Sequence, residues 1–210
     1  MKLFNLLLFL FLSLQLFAQT KVACVGNSIT YGAGIEGRDS LAYPQQLGKI
    51  LGESWVVKNF GNSGATMLKN GNKPYWSLPE FKKAKKFKPD VIIILLGTND
   101  SKPINWEAHS NEYKKDFAEM IGIFQKLKSK PKIWLGIPPP AGENPWGISK
   151  EIVEGVITDQ VRELAKDHDL GTINFFEGFE GQMELLPDNI HPNAKGAKVM
   201  AELAAKAIKN

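Results

Sequence analysis

Five short runs, apolar almost throughout and separated by amphipathic or Gly/Pro-punctuated stretches, leave this chain few folds to adopt. They fall at residues 22–25, 55–59, 91–96, 132–137 and 172–176. They lack polar alternation, as expected of parallel strands covered on both faces. Helical patterns fill the intervals. Residues 44–51 begin with Pro44 at a first helical position. Residues 111–128 repeat apolar side chains at Phe117, Met120, Ile121 and Phe124. Residues 149–168 place Ile152, Val153, Val156, Ile157, Val161 and Leu164 on one face behind Ser149 as N-cap. A last amphipathic helix over residues 194–209 follows Asn193, its expected N-cap. Strand–helix alternation over five strands predicts an α/β fold: one three-layer α/β/α sandwich around a doubly wound parallel sheet, occupying residues 19–210.

Residues 1–18 stand apart from that pattern. Lys2 supplies positive charge, residues 3–17 are almost wholly apolar, and Ala18 is a small residue suited to cleavage. This is the layout of a signal peptide, and the apolar stretch is short for a membrane span. Leu16 is bulkier than the ideal cleavage-site residue, so an uncleaved N-terminal anchor is the alternative. No cysteine follows the stretch, which disfavours a lipid anchor. An exported chain, periplasmic or extracellular, with no stable membrane insertion after cleavage is the expectation.

The lone cysteine, Cys24, lies inside the first apolar run and reads as a small buried hydrophobe rather than a catalytic thiol. The charge of +4 is mild, and the lysine run at 82, 83, 85, 86 and 88 has only Phe87 interleaved. It reads as a solvated helix face, so no nucleic-acid partner is expected. Zinc-ligand spacing is absent, and no metal or other cofactor is expected.

Chemistry-bearing residues collect where the strands end. Ser28 follows the first run, Asn62-Ser63-Gly64-Ala65-Thr66 the second, Gly97-Thr98-Asn99-Asp100 the third, and Asp188 and His191 lie in a loop beyond the fifth. In a parallel sheet all carboxyl ends share one rim, where open α/β sheets place ligands. With the flavodoxin-like strand order 2-1-3-4-5, Ser28 and Asn99 face each other across the topological switch point. A serine hydroxyl needs a base to become a nucleophile, which His191 can be, and Asp188 is placed to fix the imidazole tautomer. The backbone N–H groups of Ser28 and Gly64 and the side-chain amide of Asn99 are the candidate oxyanion donors. Taken singly, Ser28 reads as a turn former, Asn99-Asp100 as an Asx turn and His191 as part of a helix approach. Their joint occurrence at successive strand ends favours a hydrolase site. His109 and His168 gain no role.

These blocks resemble the SGNH (GDSL-like) hydrolase family, in that family's order and over nearly the whole chain after residue 18. The resemblance implies a flavodoxin-like fold and metal-free ester hydrolysis through an acyl-enzyme. Asn27 stands where the commonest first block has Asp, as in the family's secreted carbohydrate O-acetylesterase branch; without a charge, Asn27 is expected to hold the turn. The favoured function is removal of small acyl groups, acetyl above all, from a small-molecule or glycan ester. Trp146, in the Pro-rich stretch 137–147, is a candidate platform for a sugar ring or equally an anchor for its loop, with Trp76 and Trp106 weaker candidates. The rival readings are a lysophospholipase or thioesterase, and a non-catalytic carbohydrate-binding module on the same fold.

Overall fold

The computed structural model describes residues 19–209, so the expected signal peptide lies outside the described residues. Strands β1 (Thr20–Gly26), β2 (Trp55–Gly61), β3 (Val91–Leu95), β4 (Lys132–Ile137) and β5 (Gly171–Asn174) pair in parallel in the order β2-β1-β3-β4-β5. This is the expected α/β architecture. Helices α1 (Ser28–Tyr31), α2 (Arg38–Leu41), α3 (Tyr43–Leu51), α4 (Pro79–Lys86), α5 (Pro103–His109), α6 (Tyr113–Gln125), α7 (Thr158–Asp167) and α8 (Ala194–Lys209) lie between and after the strands.

The period of two along a strand explains why the central runs are apolar throughout. In β1, Ala23 and Val25 point into one core with Phe81, Phe117, Phe124 and Leu164, residues of α4, α6 and α7. Val22 and Cys24 point into the other, with Leu47 and Leu51 of α3 and Met200, Ala201 and Ala204 of α8. β3 divides the same way: Ile92 and Ile94 on one side, Val91, Ile93 and Leu95 on the other. Each buried Val, Leu, Ile, Phe or Met side chain contributes roughly 1.5–3 kcal/mol, so a polar alternation in these strands would forfeit one of the two layers. Burial pushes the Cys24 thiol up to about 12, against a lowering contact from Tyr43, which makes it an inert core residue.

Several boundaries differ from the sequence pattern for identifiable reasons. β2 runs two residues further than the apolar pattern because Gly61 pairs with Gly26. Only glycine fits at 61, where a Cβ would strike the Tyr31 backbone nitrogen. β5 ends at Asn174 because Phe175 and Phe179 turn into the core through a short 3-10 turn, Glu177–Phe179. The helix expected over 149–168 begins with a π-helical turn, Ile152–Ile157, in which the Thr158 hydroxyl donates to the Val153 carbonyl at 2.9 Å. Ser149 Oγ accepts from Ile152 N, and Asn193 Oδ1 accepts from Lys195 N and Gly196 N, as caps should. The lysine run lies mainly on α4, with Lys82, Lys83 and Lys86 exposed.

Candidate active site

At the carboxyl rim, Gly26 ends β1 between Gly61 of β2 and Leu95 of β3. The three loops that follow therefore start side by side. Ser28 opens α1 rather than sitting in an open turn, and Asn27 caps it: its side-chain oxygen accepts from Ile29 N at 3.0 Å. That is the structural part expected of an uncharged residue there.

The loop beyond β5 is folded by its own carboxylate. Asp188 Oδ1 accepts from the backbone N–H groups of Ile190 (3.0 Å) and His191 (2.6 Å), the chain turning at Asn189, whose φ is 63°. Asp188 Oδ2 lies 2.8 Å from His191 Nδ1, and His191 Nε2 lies 2.8 Å from Ser28 Oγ. Burial alone would raise the Asp188 carboxyl, but the His191 backbone N–H, the imidazole and the Ile190 N–H outweigh it and hold the group below the ordinary carboxylate range. A carboxylate ionised in this position fixes the tautomer with hydrogen on Nδ1, leaving Nε2 free to accept the serine proton.

Gly64, at φ 80°, occupies a turn closed by Ala65 N donating to the Asn62 carbonyl. The Asn99 amide is buried and donates to the Ala65 carbonyl at 3.2 Å, which leaves its second hydrogen without an acceptor among the described residues. The backbone N–H groups of Ser28 and Gly64 likewise meet no acceptor among the described residues. Ser28, Gly64, Asn99, Trp146, Asp188 and His191 all line one cavity of about 400 Å³. The candidate catalytic and oxyanion residues and Trp146 are thus brought to one place.

Two residues that sequence reasoning did not single out hold the loops together. Asp100 is fully buried and accepts from Met67 N (3.0 Å) and Leu68 N (2.7 Å). Asp116 accepts from Lys69 N at 2.8 Å. Asp100 thus ties the loop carrying Gly64 to the loop carrying Asn99, and Asp116 ties it to α6. Burial pushes the Asp100 carboxyl up to about 7 in spite of the lowering N–H groups of Leu68 and Met67. A folded-state value above the unfolded one means that the folded protein binds the extra proton, so stability falls as pH rises from about 4 to about 7. Asp100→Asn removes this titration. Urea midpoints measured from pH 4 to 8 are expected to drop more steeply for the wild type than for the variant; parallel curves would contradict the assignment.

Trp146 is 41 % exposed, and its ring meets the His191 ring edge to face with centroids 5.1 Å apart. Its loop is also held by Asn144, which bonds Trp146 N, Ile148 N and the carbonyls of Gly142 and Ile148, and by Asn189, which donates to the Glu143 carbonyl. Trp76 and Trp106 do not line the cavity; Trp76 donates to the Met67 carbonyl and packs on Phe81, and Trp106 packs on Tyr113. Lys102, also unnoticed in the sequence, does line it.

A hydroxyl, an imidazole and a carboxylate in hydrogen-bonded series, beside unpaired amide donors at the rim of a parallel sheet, can carry out acyl transfer. The comparisons with known proteins agree in class. The model of the GDSL-like lipase/acylhydrolase family matches residues 24–199. An acetylxylan esterase from Xylanibacter ruminicola is 42% identical, and the match covers 90% of this chain but 43% of that protein. The chain therefore spans less than half the length of that relative. A carbohydrate acetylesterase from Sinorhizobium meliloti shares the fold with a TM-score of 0.72 at 18% identity, over 91% of this chain and 99% of that one. The M. smegmatis aryl esterase does so with a TM-score of 0.66 at 18% identity, over 90% and 98%. By class this is a domain of the lipase/acylhydrolase type. The chain belongs to the GDSL-like lipase/acylhydrolase family.

Proposed function

We propose that this protein removes small acyl groups, acetyl above all, from carbohydrate esters through an acyl-enzyme on Ser28. The series Ser28 Oγ–His191 Nε2–His191 Nδ1–Asp188 Oδ2, with both links at 2.8 Å, carries the reading. In the first half-reaction Ser28 Oγ attacks the ester carbonyl while His191 takes its proton. The tetrahedral oxyanion accepts hydrogen bonds from the N–H groups of Ser28 and Gly64 and from the Asn99 amide. His191 then gives its proton to the departing alcohol. In the second half-reaction water attacks the acyl-enzyme with His191 again as base, and Ser28 regains its proton. Asp188 stays ionised throughout and stabilises the imidazolium.

The preference for a small acyl group rests on the cavity wall. Among the described residues, Ala33, Trp146 and Ile148 are its only apolar side chains, too few to line the extended groove that a long acyl chain needs. The acetylxylan esterase relative supports acetyl as the group and a glycan as the carrier. Trp146, standing exposed beside His191, offers an aromatic face to a sugar ring. Export after removal of residues 1–18 belongs to the same proposal, and no helix among the described residues is long and apolar enough to cross a membrane.

Rates on p-nitrophenyl esters from acetyl to octanoyl test the acyl preference. A fall in kcat/KM of about tenfold or more between acetyl and octanoyl is expected, since added methylenes must be left in water or forced into a wall. A rise with chain length would move the function to a lysophospholipase or thioesterase.

A further inference from the structure

Among the described residues, the titratable side chains lining the cavity are Asp188, His191 and Lys102. Both Asp188 oxygens are already engaged, by two backbone N–H groups and the imidazole. Lys102 has no such partner. Its ammonium forms no ion pair among the described residues, whereas Lys69 pairs with Glu119, and Lys114 with Glu163 and Asp167. Its position makes the absence costly. Lys102 is half-buried and is the N-cap residue of α5, where a cation opposes the helix dipole, and that helix has no acidic residue in its first turn. Burial accordingly lowers the Lys102 ammonium below its ordinary value, with no charged neighbour offsetting it.

A second cation touches a residue of the cavity wall without lining the cavity itself. Lys73 Nζ donates to the Ser63 carbonyl at 2.7 Å, next to Gly64, and forms no ion pair among the described residues. Ser63 lines the cavity too. The unpaired charge lining this cavity is therefore the Lys102 ammonium, with Trp146 lining the same space. A neutral sugar ester would leave that ammonium without a partner. A carboxylate brought by the substrate would end the unpaired state of Lys102 in a partly desolvated place, where charge-assisted hydrogen bonds are strong.

We propose that Lys102 is a specificity residue that recognises a carboxylate on the sugar, so that the preferred substrates are acetyl esters of acidic sugars of the uronic type. The inference rests on the reading of this cavity as the ester site. An acetyl group has no room for a charge, which places the carboxylate on the alcohol portion of the ester. Lys73, exposed and bonded to the Ser63 carbonyl, acts from further away and is screened more readily by salt.

The test compares mono-O-acetylated methyl glucuronosides as free acids, the same compounds as uncharged primary amides, and mono-O-acetylated methyl glucosides. The quantity read is the ratio of kcat/KM for acid over amide. In the wild type it is expected to be about tenfold or more at low salt, the factor typical of one hydrogen bond to a charged group, and to shrink as sodium chloride is added. Lys102→Gln should bring the ratio to about one, and Lys102→Arg should keep most of it.

Wild-type protein that turns over p-nitrophenyl acetate yet treats acid and amide alike would overturn this inference and leave the hydrolase reading standing. A Lys102→Gln protein that keeps the preference would also overturn it. So would one that loses kcat equally on acid and amide, because Lys102 would then be serving the oxyanion rather than the sugar. No turnover of any ester, p-nitrophenyl acetate included, would remove both readings together.

Discussion

Ser28→Ala is expected to lower kcat on an acetyl ester by about 10⁵-fold or more, the scale seen when a nucleophilic serine is removed from a three-residue relay. The whole relay loses its purpose, because His191 has no proton to take. The fold should hardly notice. The Ser28 side chain makes one hydrogen bond, to His191 Nε2, and the α1 cap is made by Asn27 rather than by Ser28. Unfolding midpoints of variant and wild type should agree to within about 1 kcal/mol, as for a change that opens no core cavity. A residual rate above that of water would come from the N–H groups of Ser28 and Gly64 and the Asn99 amide, which alanine at 28 leaves in place. A variant that retains a tenth of the wild-type rate would mean that the nucleophile lies elsewhere.

Asp188→Asn should cost about 10⁴-fold in kcat, less than the loss of Ser28 yet far more than a change of one atom suggests. Asn at 188 can still accept from Ile190 N and His191 N through its oxygen, so the loop keeps its shape. Its NH₂ group then faces His191 Nδ1 as a donor. The imidazole must answer with an acceptor at Nδ1, which puts its hydrogen on Nε2, aimed at Ser28 Oγ. A base already carrying a proton on that nitrogen cannot take another from serine. Nitrogen NMR of His191 should show the tautomer reversed, and a variant with near-wild-type kcat would show that Asp188 orients nothing.

How far the sequence disclosed the molecule follows from the range of the interactions. β4 and α8 have the boundaries that their apolar patterns predict, because both are set by local periodicity and a nearby cap. The carboxyl-edge position of Ser28, Gly64 and Asn99 was equally legible, since parallel pairing puts every strand end on one rim. The π-helical turn was not. Its residues keep a helical apolar spacing, and the extra residue is accommodated only when Thr158 bonds back to Val153. Asp100 was visible as part of a motif but not as the residue that holds Met67 and Leu68, which lie more than thirty positions earlier. Lys102 gave no signal at all. A lysine after a serine reads as surface, and only the fold brings it to the wall of the cavity that Ser28 lines, with no ion-pair partner among the described residues.

Reaction with a fluorophosphonate, followed by peptide mass spectrometry, interrogates the relay most directly, because the reagent phosphonylates only a serine whose proton a neighbouring base can remove. One adduct per chain, on the peptide containing residue 28 and abolished by changing His191 to alanine, is the outcome expected from a hydroxyl already bonded to an imidazole. No adduct, or an adduct on Ser63 of the same cavity instead, would contradict the assignment of the nucleophile.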